Sequence, residues 1–83
     1  MAEVSVDVDL ERNVATVHIK LYVSVFNDNK CRVGGGLYIV RKSDKYYLVT
    51  ESGEVIDELT PSEATELIAE DLKRFYEEVA SKI

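Results

Sequence analysis

The sequence predicts a small α+β domain in which an antiparallel sheet of four or five strands is followed by one amphipathic helix. Apolar and polar residues alternate along most of the chain up to about residue 59, which is typical of half-buried strands. After that point apolar residues recur every three or four positions, which is typical of a helix packed on one side. We therefore expect one domain over residues 1–83, with the sheet at about 4–59 and the helix at about 61–82.

The sheet is assigned from five alternating segments in the order β-β-β-β-β-α. The second segment is the longest, because the alternation continues from Ala15 to Phe26 without interruption and is rich in β-branched residues. Short polar turns separate the segments, and connections this short join antiparallel rather than parallel strands. The predicted strands are residues 4–10, 15–26, 31–41, 46–51 and 54–59.

The run Gly34-Gly35-Gly36 interrupts the third predicted strand and has two interpretations. It is either a bulge that bends a long hairpin, or a loop that exposes backbone N–H groups to a phosphate. Phosphate loops usually lead into a helix, whereas a predicted strand follows here, and Ile39 stands where the dinucleotide fingerprint has its last glycine. We therefore favour the bulge.

The helix has a well-defined predicted start at Thr60-Pro61-Ser62-Glu63. Thr60 and Glu63 have the spacing of a capping box, and Pro61 falls at the first helical position, where its missing N–H has no cost. The predicted apolar stripe consists of Ala64, Ile68, Leu72, Phe75, Val79 and Ile83.

The charge and composition indicate a cytoplasmic protein without a membrane partner. The net charge is −6, from 16 acidic and 10 basic residues, so nucleic acid and anionic membranes are repelled on average. No apolar run is long enough to span a bilayer, the first residues lack the features of a signal peptide, and the single cysteine fits a reducing compartment. The absence of Gln and Trp beside abundant charge suggests a thermophilic archaeon or its virus as the source.

No arrangement of residues predicts catalysis, a metal or a cofactor. Cys31 and His18 lie in separate predicted strands without a third group to orient the histidine, so they are not expected to form a nucleophile pair. Asp7 and Asp9 are two carboxylates without a ligand loop, which is weak support for a cation site. We therefore expect a protein that is not an enzyme.

One helix covers only one face of the predicted sheet, and aromatic residues are expected on the other. This second face is either an ordinary solvated surface or a contact surface, since tyrosine and phenylalanine are enriched at interfaces. A chain this short has a small core, so burying a second face would be useful. Our first hypothesis is an interaction or regulatory protein that forms a homodimer through this face or through an edge strand, with another protein as the alternative partner. The predicted interface residues are Tyr22, Phe26, Tyr38, Tyr46 and Tyr47.

A basic segment gives the alternative hypothesis, a single-stranded nucleic-acid-binding protein that uses the hairpin 30–47. Between residues 30 and 45 there are five basic residues and one acid, interleaved with tyrosines, a combination that suits phosphate contact and base stacking. Basic residues on strand edges also discourage aggregation, so binding is not their only explanation. The predicted contact residues are Lys30, Arg32, Arg41, Lys42 and Lys45.

The order of the elements, together with Leu59-Thr60-Pro61-Ser62-Glu63 opening the last helix, resembles a family of transcriptional coactivator domains. The resemblance implies a dimer that binds single-stranded DNA. It rests on element order and a common helix start, and it identifies no binding residues in this chain.

Overall fold

The computed structural model describes residues 3–18 and 20–82 and has two antiparallel sheets followed by one helix, which confirms the α+β class. The first sheet has the order β1-β2-β3 and the second has the order β4-β5-β6-β7. The helix α1 spans Pro61–Ser81. The strands are β1 (Val6–Asp9), β2 (Val14–Val17), β3 (Leu21–Ser24), β4 (Lys30–Arg32), β5 (Leu37–Lys42), β6 (Lys45–Thr50) and β7 (Val55–Leu59).

The prediction of one continuous strand over residues 15–26 is wrong, because the chain reverses direction within it. β2 and β3 pair antiparallel, with Val17 opposite Leu21 and Ala15 opposite Val23. His18 adopts a φ of 55°, in the left-handed region, at the start of the turn. Ile19 also belonged to the predicted strand and lies outside the described residues. The chain therefore forms a separate three-stranded sheet here.

The prediction of a bulge within a strand over residues 31–41 is also wrong. All three glycines have positive φ values, and they connect two paired strands, β4 and β5. The turn is closed by the backbone N–H of Val33, which donates to Leu37 O at 3.0 Å. A left-handed backbone at three successive positions is inexpensive only for glycine, which is why this run reverses the chain.

The two sheets and the helix enclose one apolar core. Ile68 on the helix is 1% exposed, and Ile39 on β5 is completely buried. The helix packs on β1 as well as on β6 and β7, so it contributes to both sheets. The buried cluster consists of Leu10, Ala15, Val25, Phe26, Ile39, Tyr46, Leu59, Ala64 and Ile68.

The predicted start of the helix is confirmed, whereas its apolar stripe is buried only in the first half. Thr60 Oγ1 accepts from the Glu63 N–H at 3.1 Å, and the Thr60 N–H donates to Glu63 Oε1 at 2.8 Å. Farther along, Phe75 and Val79 remain largely exposed. Ile83, the last predicted member of the stripe, lies outside the described residues. Over residues 3–18 and 20–82, no helix has the length and apolar character needed to cross a membrane.

Candidate binding surface

The four-stranded sheet presents one face to the core and the other to solvent. Cross-strand partners lie on the same face of a sheet, and successive residues alternate between faces. Ile39, which is buried in the core, therefore separates the two outward residues Tyr38 and Val40. Their partners on β6 are Val49 and Tyr47, respectively. We call this solvent-facing side of the sheet the outer face.

The centre of the outer face is apolar and aromatic. Tyr38 and Tyr47 stand diagonally across β5 and β6, and diagonal neighbours of this kind are about 7–8 Å apart. Val49 is itself buried, with 7% of its surface exposed, whereas its partner Val55 on the edge strand β7 is 58% exposed and extends the apolar area to the edge of the sheet. These residues line an open groove of about 700 Å³.

Three of the five predicted nucleic-acid contacts line the groove at this centre, namely Lys30, Lys42 and Lys45. Lys30 pairs with Val40 and points outward from β4, whereas Arg32, at the edge of the sheet opposite Tyr38, lines a separate groove with residues of the helix. Lys42 and Lys45 face each other at the end of β5 and the start of β6. Their ammonium groups are accessible, since all three lysines of the groove are exposed residues.

Two carboxylates reduce the net positive charge of the outer face. Glu58, opposite Tyr47 on β7, has Oε2 at 3.9 Å from Lys45 Nζ, and both side chains are exposed. Glu51 lines the opposite end of the groove, close to the β6–β7 turn. The exposed ion pair contributes little to stability, but it places one acid beside the lysines.

Arg41, the fifth predicted contact, lies on the inner side of β5, because it follows Val40 by one position. Its Nη1 donates to the carbonyl of Leu10 at 3.4 Å, and its guanidinium carbon is 4.9 Å from the ring centroid of Phe26. Arg41 thus joins the second sheet to the segment after β1. This arrangement separates it from the three lysines of the groove.

The five predicted interface aromatics do not share one surface. Phe26 and Tyr46 are buried and stack on each other, with ring centroids 5.9 Å apart and an interplanar angle of 23°. Tyr22 is 67% exposed, but it lies on β3 in the other sheet. Only Tyr38 and Tyr47 stand together on the outer face.

Cys31 is half-buried on β4, while His18 is exposed at the end of β2 in the other sheet. Burial, and secondarily the negative charge of Asp71, raise the pKa of the Cys31 thiol from 9.0 to about 11. A thiol with this pKa is protonated at neutral pH and is a poor nucleophile. In the part of the chain that the structure describes, no three His, Cys, Asp or Glu side chains converge in a way that would hold a metal ion.

The sequence predictions did not include the apolar centre formed by Val40, Val49 and Val55. Alternation along β5 and β6 is visible in the sequence, but only the register places these valines beside the two tyrosines. No protein-family model matches the chain, and no curated protein or solved structure is significantly similar to it. The resemblance to the coactivator domains therefore gains no support from these comparisons.

Proposed function

We propose that the protein is a non-enzymatic binding protein and that the outer face is its binding surface. The observation that carries the proposal is the grouping of two tyrosines and three lysines on a sheet face that no described element covers. Flat rings beside accessible cations suit a ligand that has both planar groups and negative charge.

Single-stranded nucleic acid is the ligand that this chemistry favours. Bases stack on aromatic rings, while Lys and Arg contact the phosphates without regard to sequence. Counting its three lysines and its two carboxylates, Glu51 and Glu58, the outer face carries +1, whereas the rest of the chain carries −7. A phosphate backbone is thus attracted to this face and repelled elsewhere, which supports a defined mode of binding.

The test is a titration of a fluorescently labelled oligothymidine of about 12 nucleotides, followed by anisotropy at several salt concentrations. Replacing Tyr38 or Tyr47 with Ala removes one stacking ring and should raise Kd by about five- to 150-fold, from about 1–3 kcal/mol per base. Tyr22→Ala is the matched control, since it removes an exposed tyrosine from the other sheet and should leave Kd unchanged.

A charge variant tests the same surface without depending on the folding of the tyrosine variants. Lys42 is exposed, so Lys42→Glu should fold normally and weaken binding, whereas Lys82→Glu, at the end of the helix, should not weaken it. Equal effects of the two charge reversals would rule out the outer face as the site, and no binding by the wild type at low salt would rule out nucleic acid as the ligand.

A second candidate function is self-association through the same face. Lys42 and Lys45 stand at one end of the groove and Glu51 at the other. A two-fold axis lying across the strands would therefore place the lysines of one copy near Glu51 of the second copy. The apolar centre would become the core of that interface.

Light scattering separates the two candidates. A homodimer that buries the outer face should dissociate when Tyr47 is replaced with Ala, and an oligonucleotide that needs the same face should compete with it. A mass of 9.4 kDa for the wild type at every concentration would refute self-association.

A cytoplasmic location and a thermophilic archaeal or viral source are proposed on composition alone. Support comes from the unpaired Cys31 and the abundance of charged residues. A thermal midpoint above about 90 °C would support the thermophilic source, and one near 50 °C would argue against it.

A further inference from the structure

The turn between β2 and β3 lacks the residues that normally make turns. It falls between Val17 and Leu21, in a stretch that contains no Gly, Pro, Asn or Asp. His18 nevertheless has a φ of 55°, and every other described residue with a positive φ is Asn, Asp, Ser or Gly. The conformational preferences of these residues therefore disfavour the turn that the fold requires at this position.

The residues on either side favour one extended strand. Apolar and polar positions alternate without a break from Ala15 to Val25, and β-branched residues dominate. The turn keeps this alternation in phase, because Val17 and Leu21 are four positions apart and lie on the same face. An extended chain would thus keep the same residues on the same faces.

The register of this hairpin is symmetric about its turn, as in any hairpin. The pairs are Val14 with Ser24, Ala15 with Val23, Thr16 with Tyr22, and Val17 with Leu21. If residues 14–24 were straight in two copies, each antiparallel pair would form again, with one member from each copy. No pair between β2 and β3 would be lost.

We propose that two copies of this chain exchange β1 and β2 through opening of the β2–β3 turn. In the exchanged dimer, β1 would pack on the helix of the second copy and remake the hydrogen bond from the Val4 N–H to Glu77 Oε2, 3.3 Å long in the closed chain. The closed and exchanged forms thus share their contacts. The conformational cost of the turn then decides the equilibrium between the closed and exchanged forms, and the left-handed conformation of His18 favours the open turn of the exchanged form.

This inference goes beyond the proposed function, because it concerns the three-stranded sheet and leaves the outer faces of both copies accessible. It also gives a route to the homodimer expected from the sequence without the interface aromatics. An exchanged dimer carries two outer faces, while a dimer that buries the outer face carries none.

Engineered disulfides test the exchange. Thr16→Cys with Tyr22→Cys, in a Cys31→Ser background, places two thiols opposite each other across β2 and β3. The monomer and dimer fractions are separated by size, oxidised, and run on a denaturing gel without reductant. We expect a covalent dimer from the dimer fraction and a single chain from the monomer fraction.

A matched pair of thiols serves as the control. Asp7→Cys with Thr16→Cys, in the same background, joins β1 to β2, which move together in an exchange. This pair should give single chains from both fractions. A dimer fraction that yields only single chains with the first pair overturns the proposal, as does the absence of any dimer after refolding at high concentration.

Substitutions of His18 test whether its left-handed conformation drives the exchange, and they need no oxidation step. His18→Gly relaxes the left-handed position and should favour the closed monomer, whereas His18→Val, which is β-branched, should favour the dimer. A left-handed residue costs about 1–2 kcal/mol, roughly tenfold per chain, so Kd for the dimer should differ by about a hundredfold because two turns open. Equal dissociation constants for the two variants would overturn the proposal.

Discussion

Neighbouring basic residues on β5 have different environments, and this gives the sharpest test of the surface described above. Arg41 faces inward, where its guanidinium lies over Phe26 and donates to Leu10 O, while Lys42 is exposed on the outer face. We predict that Arg41→Ala lowers stability and that Lys42→Ala weakens oligonucleotide binding. In sequence the two residues are adjacent and chemically similar.

The expected decrease in the free energy of unfolding for Arg41→Ala follows from the two contacts that the Arg41 side chain makes. A partly desolvated cation over an aromatic ring contributes about 0.5–2 kcal/mol. The hydrogen bond to Leu10 O is long at 3.4 Å, so we assign it about 0.5 kcal/mol. The sum is about 1–2.5 kcal/mol, which for a domain of this size lowers the thermal midpoint by about 5–15 °C. Arg41→Lys keeps the charge but loses the planar stack, so an intermediate loss is expected.

Lys42→Ala should change the free energy of unfolding by less than about 0.5 kcal/mol, because the side chain is exposed and has no described partner. Its effect belongs to binding, where each lost phosphate contact reduces the slope of log K against log salt by about 0.7. Thermal unfolding by circular dichroism and anisotropy at four salt concentrations measure both quantities. If Arg41→Ala is as stable as Lys42→Ala, the assignment of Arg41 to the inner side is refuted.

Three further predictions concern the core, the helix start and the thiol. Ile68→Ala should cost about 2–5 kcal/mol in chemical denaturation, whereas Val79→Ala, on the exposed half of the helix, should cost less than about 0.5 kcal/mol; similar losses would contradict the described core. Thr60→Ala should cost about 1 kcal/mol and Thr60→Ser little, and an unchanged midpoint for Thr60→Ala would argue against the cap. Folding raises the pKa of Cys31 from 9.0 to about 11. The contribution of the protonated thiol to the free energy of unfolding is therefore complete below about pH 9 and is lost as the pH rises toward 11. Unfolding free energies should therefore fall over that range in the wild type relative to Cys31→Ala, and parallel curves would refute the shift.

The elements that the sequence predicted correctly have local signals. The capping box of Thr60 and Glu63 fixes the start of the helix, and the break between the predicted strands 46–51 and 54–59 corresponds to the turn before β7, where Gly53 has a φ of 90°. In each case the side chain or the missing side chain acts within a few residues, so no knowledge of the rest of the fold is needed.

The two strands that were predicted too long have a common physical cause. Val17 pairs with Leu21, and the Val33 N–H bonds to Leu37 O, so each reversal uses a loop of three residues. A loop of three leaves the apolar alternation in phase on both sides of the turn, whereas a loop of two shifts it by one position. Periodicity alone therefore cannot distinguish these hairpins from straight strands. For this reason one sheet was predicted where the structure has two.

The outer face was predictable only in part for the same reason. Composition located the cations, but the face of each residue depends on the register after the missed turns. Arg41 and Tyr46 were grouped with the exposed residues, while their cross-strand pairing places both on the inner side. A cluster in sequence becomes a surface only where the alternation of the strands permits it.

The two proposals, strand exchange and nucleic-acid binding, are linked through effective concentration. An exchanged dimer holds two outer faces at a fixed separation, so an oligonucleotide long enough to reach both binds the second face as an intramolecular event. Short oligonucleotides should bind monomer and dimer with equal affinity per face, while long ones should bind the dimer about a hundredfold more tightly or better. The His18→Gly and His18→Val variants supply monomer and dimer without altering the outer face. Equal affinities for long oligonucleotides would mean that the two faces of the dimer point away from a common strand.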